Sequence, residues 1–223
     1  MIIKFIIVCK VNFFSSFFVI FERLYHYDKK YYENIMKILI IDNYDSFTYN
    51  IAHYVEQFAE VCKVIKIDKI NIEQIKDFDK IILSPGPGLP NERPIQNQII
   101  DFFHPSKPIL GICLGHQALA EYFGAKLYNM PHVHHGIARQ TLIDKADYLW
   151  TDIPNEFNSG RYHSWAVNSK NMPKNIEIIA SDKETNSIMA FRHNKLDIRA
   201  LQFHPESILT EYGLKIIENW VKH

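Results

Sequence analysis

Pro108-Ile109-Leu110-Gly111-Ile112-Cys113-Leu114-Gly115-His116-Gln117-Ala118-Leu119 is free of charged side chains apart from what His116 can carry. Its apolar first half reads as a strand covered on both faces. Its second half opens an amphipathic helix with Leu119, Tyr122 and Phe123 on the inner side. Cys113 falls at the junction, between Gly111 and Gly115. That is the thiol form of the nucleophile elbow, in which small neighbours let the chain turn sharply and lift the reactive atom out of the sheet. The N–H groups opening the helix favour negative charge there and can hold an oxyanion. A lone cysteine after an apolar strand is more often a core residue, so its role depends on what else converges on it.

The chain around it alternates strand and helix. Residues 37–41 form a continuous apolar run ending in Asp42, followed by the turn Asn43-Tyr44-Asp45-Ser46. Ile51, Tyr54, Val55 and Phe58 then recur at helical spacing, with Asp45 or Ser46 as the expected N-cap. Residues 61–67 and 78–83 read as further strands, the latter running into Ser84-Pro85-Gly86-Pro87-Gly88. Residues 95–103 read as a helix, and 108–112 return to the sheet. The pattern predicts an α/β fold with an open, largely parallel sheet. Such a sheet binds ligands beyond the carboxyl ends of its strands, where the turn after Ile41, the Gly86–Gly88 loop and Cys113 all fall.

Beyond residue 125 the pattern changes to short β-like runs at 126–128, 139–143, 176–180, 188–192 and 198–203, which extend the sheet with antiparallel strands. A last helix over 211–222 is expected to turn Leu214, Ile217 and Val221 to one side. The run 198–203 leads into His204-Pro205-Glu206-Ser207. Residues two apart on an extended chain share a face, so His204 and Glu206 can meet one point. A histidine base oriented by a carboxylate and facing a cysteine is the arrangement of thiol acyl transfer. A loop histidine beside a solvated glutamate is the commoner meaning of such a pair.

The 223 residues carry 25 basic and 25 acidic side chains, so there is no basic excess to neutralise phosphates and nucleic acid is not expected as a partner. Cys9, Cys62 and Cys113 have neither metal-type nor paired spacing, which points to a reducing, cytoplasmic setting. Residues 1–35 differ in composition from the rest. Their uncharged stretch, 11–21, is well short of the roughly 20 residues needed to span a bilayer, so a membrane anchor is not expected. The expected division is a dispensable N-terminal extension, 1–35, and one domain, 36–223, starting at Met36.

Three segments together resemble the signatures of the class I (triad) glutamine amidotransferases: Ser84 through Gly88, Gly111 through Gln117, and Phe203 through Ser207. Asp42-Asn43-Tyr44-Asp45-Ser46-Phe47-Thr48-Tyr49-Asn50 is further similar to the opening of the glutaminase subunits of anthranilate synthase and aminodeoxychorismate synthase. The resemblance covers 36–223 and implies a flavodoxin-like fold with no cofactor or metal of its own. It implies glutamine as substrate and a chorismate-using synthase chain as partner. It also implies Cys113 as nucleophile, His204 as base and Glu206 as its orienting carboxylate. The backbone N–H groups of Gly88 and Leu114 would form the oxyanion hole, since Pro87 has no N–H to give. Glutamine would be held by Gly86, Pro87, Gly88, Gln117, Ser164 and Trp165. Trp165 stands where the family commonly has Leu, and Arg199-Ala200-Leu201 where many relatives carry a Gly-Val pair before Gln-Phe-His. The competing readings are a free-standing thiol hydrolase on the same scaffold and a non-catalytic scaffold.

Overall fold

The computed structural model describes residues 35–223, apart from His132, His134 and the side chain of Asn171. The expectation for residues 1–35 therefore lies, but for Ile35, outside the described residues. In chain order the strands are β1 (Lys37–Asp42), β2 (Val61–Lys66), β3 (Lys80–Leu83), β4 (Ile109–Ile112), β5 (Leu127–Asn129) and β6 (Ile137–Ile143). They continue with β7 (Glu156–Arg161), β8 (Trp165–Val167), β9 (Ile176–Asp182), β10 (Ile188–His193) and β11 (Ile198–Leu201). The helices are α1 (Thr48–Val55), α2 (Ile72–Ile75), α3 (Pro94–Phe103), α4 (Leu114–Tyr122) and α5 (Gly213–Lys222).

Among the described residues nine strands form one sheet, in the order β2-β1-β3-β4-β11-β10-β9-β6-β7. The joins from β2 to β11 are parallel and those from β11 to β7 antiparallel. The apolar centres of β1, β3 and β4 suit this position because both faces are covered. Ile38 and Ile40 of β1 pack with Ile51 and Val55 of α1 and with Ile216 and Trp220 of α5. Leu39 and Ile41 pack on the other face with Ile99 and Ile100 of α3 and Leu119 of α4. This is the two-residue period of a strand expressed as two cores, each fully buried isoleucine contributing about 1.5–3 kcal/mol.

The sheet also carries a buried lysine. Lys80, at the start of β3, donates from Nζ to the carbonyls of Trp220 and Val221 at 2.8 and 3.1 Å, satisfying the open end of α5. Burial lowers its pKa, against the pull of Asp197 and Asp79.

Several details differ from the sequence-based expectations. Neither Asp45 nor Ser46 caps α1: the cap residue is Phe47, and Asp42 Oδ1 instead gathers the N–H groups of Tyr44 and Asp45 and the Thr48 hydroxyl. Residues 127–129 leave the main sheet and pair with β8 in a separate two-stranded ladder. The polar run of β7 showed no β pattern, yet it forms an edge because β6 supplies its register. Leu214 is 36% exposed; α5 buries Gly213, Ile216, Ile217, Trp220 and Val221. On α4, Tyr122 and Phe123 are only half-buried, whereas Ala118, Leu119 and Ala120 are enclosed.

Candidate active site

Cys113 is built into a strained corner. It follows β4, precedes α4 and has φ 52° and ψ −98°, a left-handed conformation that costs a non-glycine residue about 1–3 kcal/mol. Its N–H donates to the Leu201 carbonyl at 2.8 Å, tying the end of β4 to the end of β11. The corner can be this tight because Gly115 lies against β3: a Cβ there would fall 2.3 Å from the Leu83 carbonyl oxygen. The first N–H groups of α4, Leu114 among them, have no acceptor within their own helix and stand beside the thiol.

His204 arrives from the neighbouring strand. The chain does not stay extended to reach it: β11 stops at Leu201, Gln202 and Phe203 bend, and Pro205-Glu206 form a turn in which Ser207 N–H donates to the His204 carbonyl at 3.2 Å. The meeting of His204 with Glu206 is thus made by a turn, not by strand alternation, because proline interrupts the strand and closes the loop instead. His204 Nδ1 and Glu206 Oε1 are 2.7 Å apart, with both residues almost fully enclosed. A β-bridge between His204 and Gly160 and the Thr210 hydroxyl, which donates to the His204 carbonyl at 2.5 Å and accepts the Gly160 N–H at 2.9 Å, fix the turn to β7.

The electrostatics of His204 follow from these neighbours. Burial alone would push its pKa down, but the charge and hydrogen bonding of Cys113, followed by those of Glu206, outweigh this and hold it well above the ordinary imidazole value. Nε2 is buried with no fully formed hydrogen bond among the described residues. With Nδ1 taken by Glu206, Nε2 is the nitrogen left for the cysteine.

Ten residues line a cavity of about 170 Å³ in front of the thiol: Cys113 and Leu114, the loop Gly86, Pro87 and Gly88, Gln117, and Tyr162 through Trp165. This is below the roughly 300–1,000 Å³ of drug-sized sites and suits a ligand the size of one amino acid. Every residue expected to form the oxyanion hole or hold substrate is therefore found together, with Gly88 in the left-handed region at φ 79°. His204 and Glu206 stand outside this lining. Gln117 Nε2 donates to the Trp165 carbonyl at 2.9 Å, which His163 Nδ1 also approaches at 2.9 Å, and Met130 N–H donates to the Ser164 carbonyl at 2.8 Å. These bonds shape the wall opposite Cys113.

Three contributors escaped the sequence reading. Asn43 is fully buried; its N–H donates to Ser84 Oγ at 2.8 Å and its amide to the Ser84 carbonyl at 3.0 Å, anchoring the root of the glycine loop. Gln202 bridges Gln117 at 3.2 Å and lies 3.8 Å from Cys113 Sγ. A polar residue inside an apolar strand ending was the available signal for it. Phe47 packs on His204; it stands in the Asp42–Asn50 segment that carries the family resemblance, but nothing in that segment pointed to the histidine.

A buried cysteine, an imidazole held by a carboxylate, unengaged helix N–H groups and a small cavity suit transfer of an acyl group through a thioester. Residues 39–223 match the family model described as glutamine amidotransferase class-I. Anthranilate synthase component 2 of Methanocaldococcus jannaschii is 42% identical over 198 residues, covering 84% of this chain and 98% of that protein. Aminodeoxychorismate/anthranilate synthase component 2 of Bacillus subtilis is 38% identical over 187 residues, covering 83% and 95%. Among solved structures, a Thermoplasma acidophilum protein described as a GMP synthase component superposes with a TM-score of 0.76 at 26% identity, covering 85% of this chain and 94% of that one.

Proposed function

The chain belongs to the class I glutamine amidotransferases, and from that premise we propose that it hydrolyses glutamine and hands the ammonia to a chorismate-using synthase chain that makes anthranilate. The observation that supports this most directly is the meeting of Cys113, His204 and Glu206 beside a cavity sized for one amino acid. In this reading Cys113 Sγ bonds to the side-chain amide carbon and the carbonyl electron pair moves onto oxygen, facing the N–H groups of Leu114 and Gly88. His204 gives its proton to the departing nitrogen, the C–N bond breaks and ammonia leaves. Water then adds to the thioester while His204 takes a proton from it. The C–S bond breaks and glutamate is released, returning the proton to the Cys113–His204 pair. Gln117, with Ser164 and Trp165, holds the substrate.

A second product, aminodeoxychorismate, is favoured by the Bacillus subtilis relative, whose name carries both activities. Co-purification decides between them: the synthase that comes down with this chain, and the aminated product the pair forms from chorismate and glutamine, identify the pathway. A chain that binds no synthase and cleaves peptides at full rate alone would be a free-standing thiol hydrolase.

The orienting role of Glu206 has its own test. Glu206→Gln keeps a hydrogen-bonding group beside Nδ1 but removes the charge, so kcat for glutamine should fall by about one to two orders of magnitude less than in His204→Ala or Cys113→Ala. Steady-state glutaminase kinetics on the three variants check the ranking, and equal losses would refute it.

A further inference from the structure

Two aromatic rings from separate loops close on the His204 imidazole. Tyr162, between β7 and β8, lies 4.9 Å from it at 62°, and Phe47, at the head of α1, lies 5.9 Å from it at 73°. Phe47 and Tyr162 are themselves 5.3 Å apart, so each ring touches the other two within the separation at which aromatic pairs attract. The Tyr162 hydroxyl is 3.0 Å from Ser207 Oγ, on the same turn as His204, so the tyrosine is pinned at its ring and at its tip. Phe47 is held by its N–H, which donates to Asp45 Oδ1 at 2.8 Å. Glu206 fixes one imidazole nitrogen but leaves the ring able to tilt about that bond. The two aromatic faces remove this freedom.

We infer that Phe47 and Tyr162 are positioning residues that set the tilt of His204 and so aim Nε2 at Cys113, with Phe47 acting from outside the substrate cavity. Tyr162 lines the cavity and Phe47 does not. The inference deepens the glutaminase reading and rests on it for its kinetic test. The titratable groups around the imidazole are Cys113 beyond β4, Glu206 on the same turn and Tyr162 itself. His135 packs edge-on against Tyr162 at 5.8 Å. Cys113 and Glu206 are the ones that raise the His204 pKa, so a tilted ring loses the Cys113 contribution and the imidazolium gives up its proton at lower pH.

Phe47→Leu, in the full chain with its synthase, should lower kcat for glutamine by about tenfold while KM stays within about twofold, and should move the alkaline limb of kcat/KM to lower pH. Phe47→Tyr should restore both. Tyr162→Phe, which keeps the ring and loses only the tie to Ser207, should show a smaller change in the same direction. A second readout needs neither glutamine nor a partner: peptide-resolved iodoacetamide labelling of Cys113 across pH should set in at higher pH in Phe47→Leu than in the wild type, because the thiolate that reacts has lost its imidazolium partner. Cys62, pushed up to about 12 chiefly by burial, serves as an internal reference. Wild-type kcat and pH profiles in folded Phe47→Leu, or a loss confined to KM or melting temperature, would overturn the inference. If the wild-type chain uses no glutamine, the glutaminase reading fails, and the labelling still decides whether Phe47 positions His204.

Discussion

Cys113→Ser should leave a complex that assembles and binds glutamine yet forms product from it at least about 10³-fold more slowly. Oxygen keeps the shape of the corner and its hydrogen bonds. It is a far poorer nucleophile, however, in a site where an imidazole is stabilised in its charged form by the sulfur opposite it. The same complex should make product at a near-normal rate from ammonium salt at alkaline pH, because the proposed function puts the chorismate chemistry on the other chain. Product assays with each nitrogen source, alongside a pull-down to verify assembly, check this. Loss of both activities in an assembled complex would mean that this chain supplies more than ammonia, and full use of glutamine would remove Cys113 from the mechanism.

The second large effect is expected far from the thiol in sequence, at Gly213. This glycine opens α5 directly behind the turn that carries His204 and Glu206. A Cβ there would fall 1.8 Å from the Pro205 carbonyl oxygen and 2.8 Å from its carbon. Both are backbone atoms, so no side-chain rotation relieves the clash, and Tyr212 before it is already left-handed at φ 58°. In Gly213→Ala either α5 or the Pro205 peptide must move, and Pro205 sits between the two residues whose 2.7 Å contact orients the imidazole. We expect kcat to fall by about 10²-fold, the usual consequence of displacing a reacting group by about 1 Å. Overpacking should also cost about 1–3 kcal/mol of stability. Glutaminase kinetics and thermal unfolding on the same sample check both, and a variant with unchanged kcat would show that the turn is not braced by the helix.

What could be read in the amino-acid order follows a physical division. Residues 38–41 and 108–112 lack charge because two layers of helix cover them, so their strands and the elbow after them were legible. Gly86, Gly88, Cys113, Gln117, His204 and Glu206 announced themselves as residue types with few structural substitutes. Contacts that depend on distant chain were not legible. Asn43 matters through Ser84, Phe47 through His204, and Gly213 through Pro205; each is an ordinary residue until the fold supplies its neighbour. The polar β7 was missed because an edge strand takes its pairing from β6 and needs little hydrophobicity of its own. The closure of His204 onto Glu206 was anticipated for the wrong reason, since proline makes a turn where alternation in a strand was expected.

The order of the strands bears on how the molecule comes into being. β4 and β11 are neighbours in space, register Ile109 to Ile198 through Ile112 to Leu201, yet residues 113–197 lie between them in the chain. During synthesis the thiol emerges long before the strand that completes its surroundings. A nascent chain that stops short of β11 has a cysteine with no imidazole beside it and the open edge of β4 exposed. Until β11 inserts between β4 and β10, that unpaired parallel edge is the kind of surface through which partly folded chains associate. The thiol thus acquires its base only when β11 is in place beside β4.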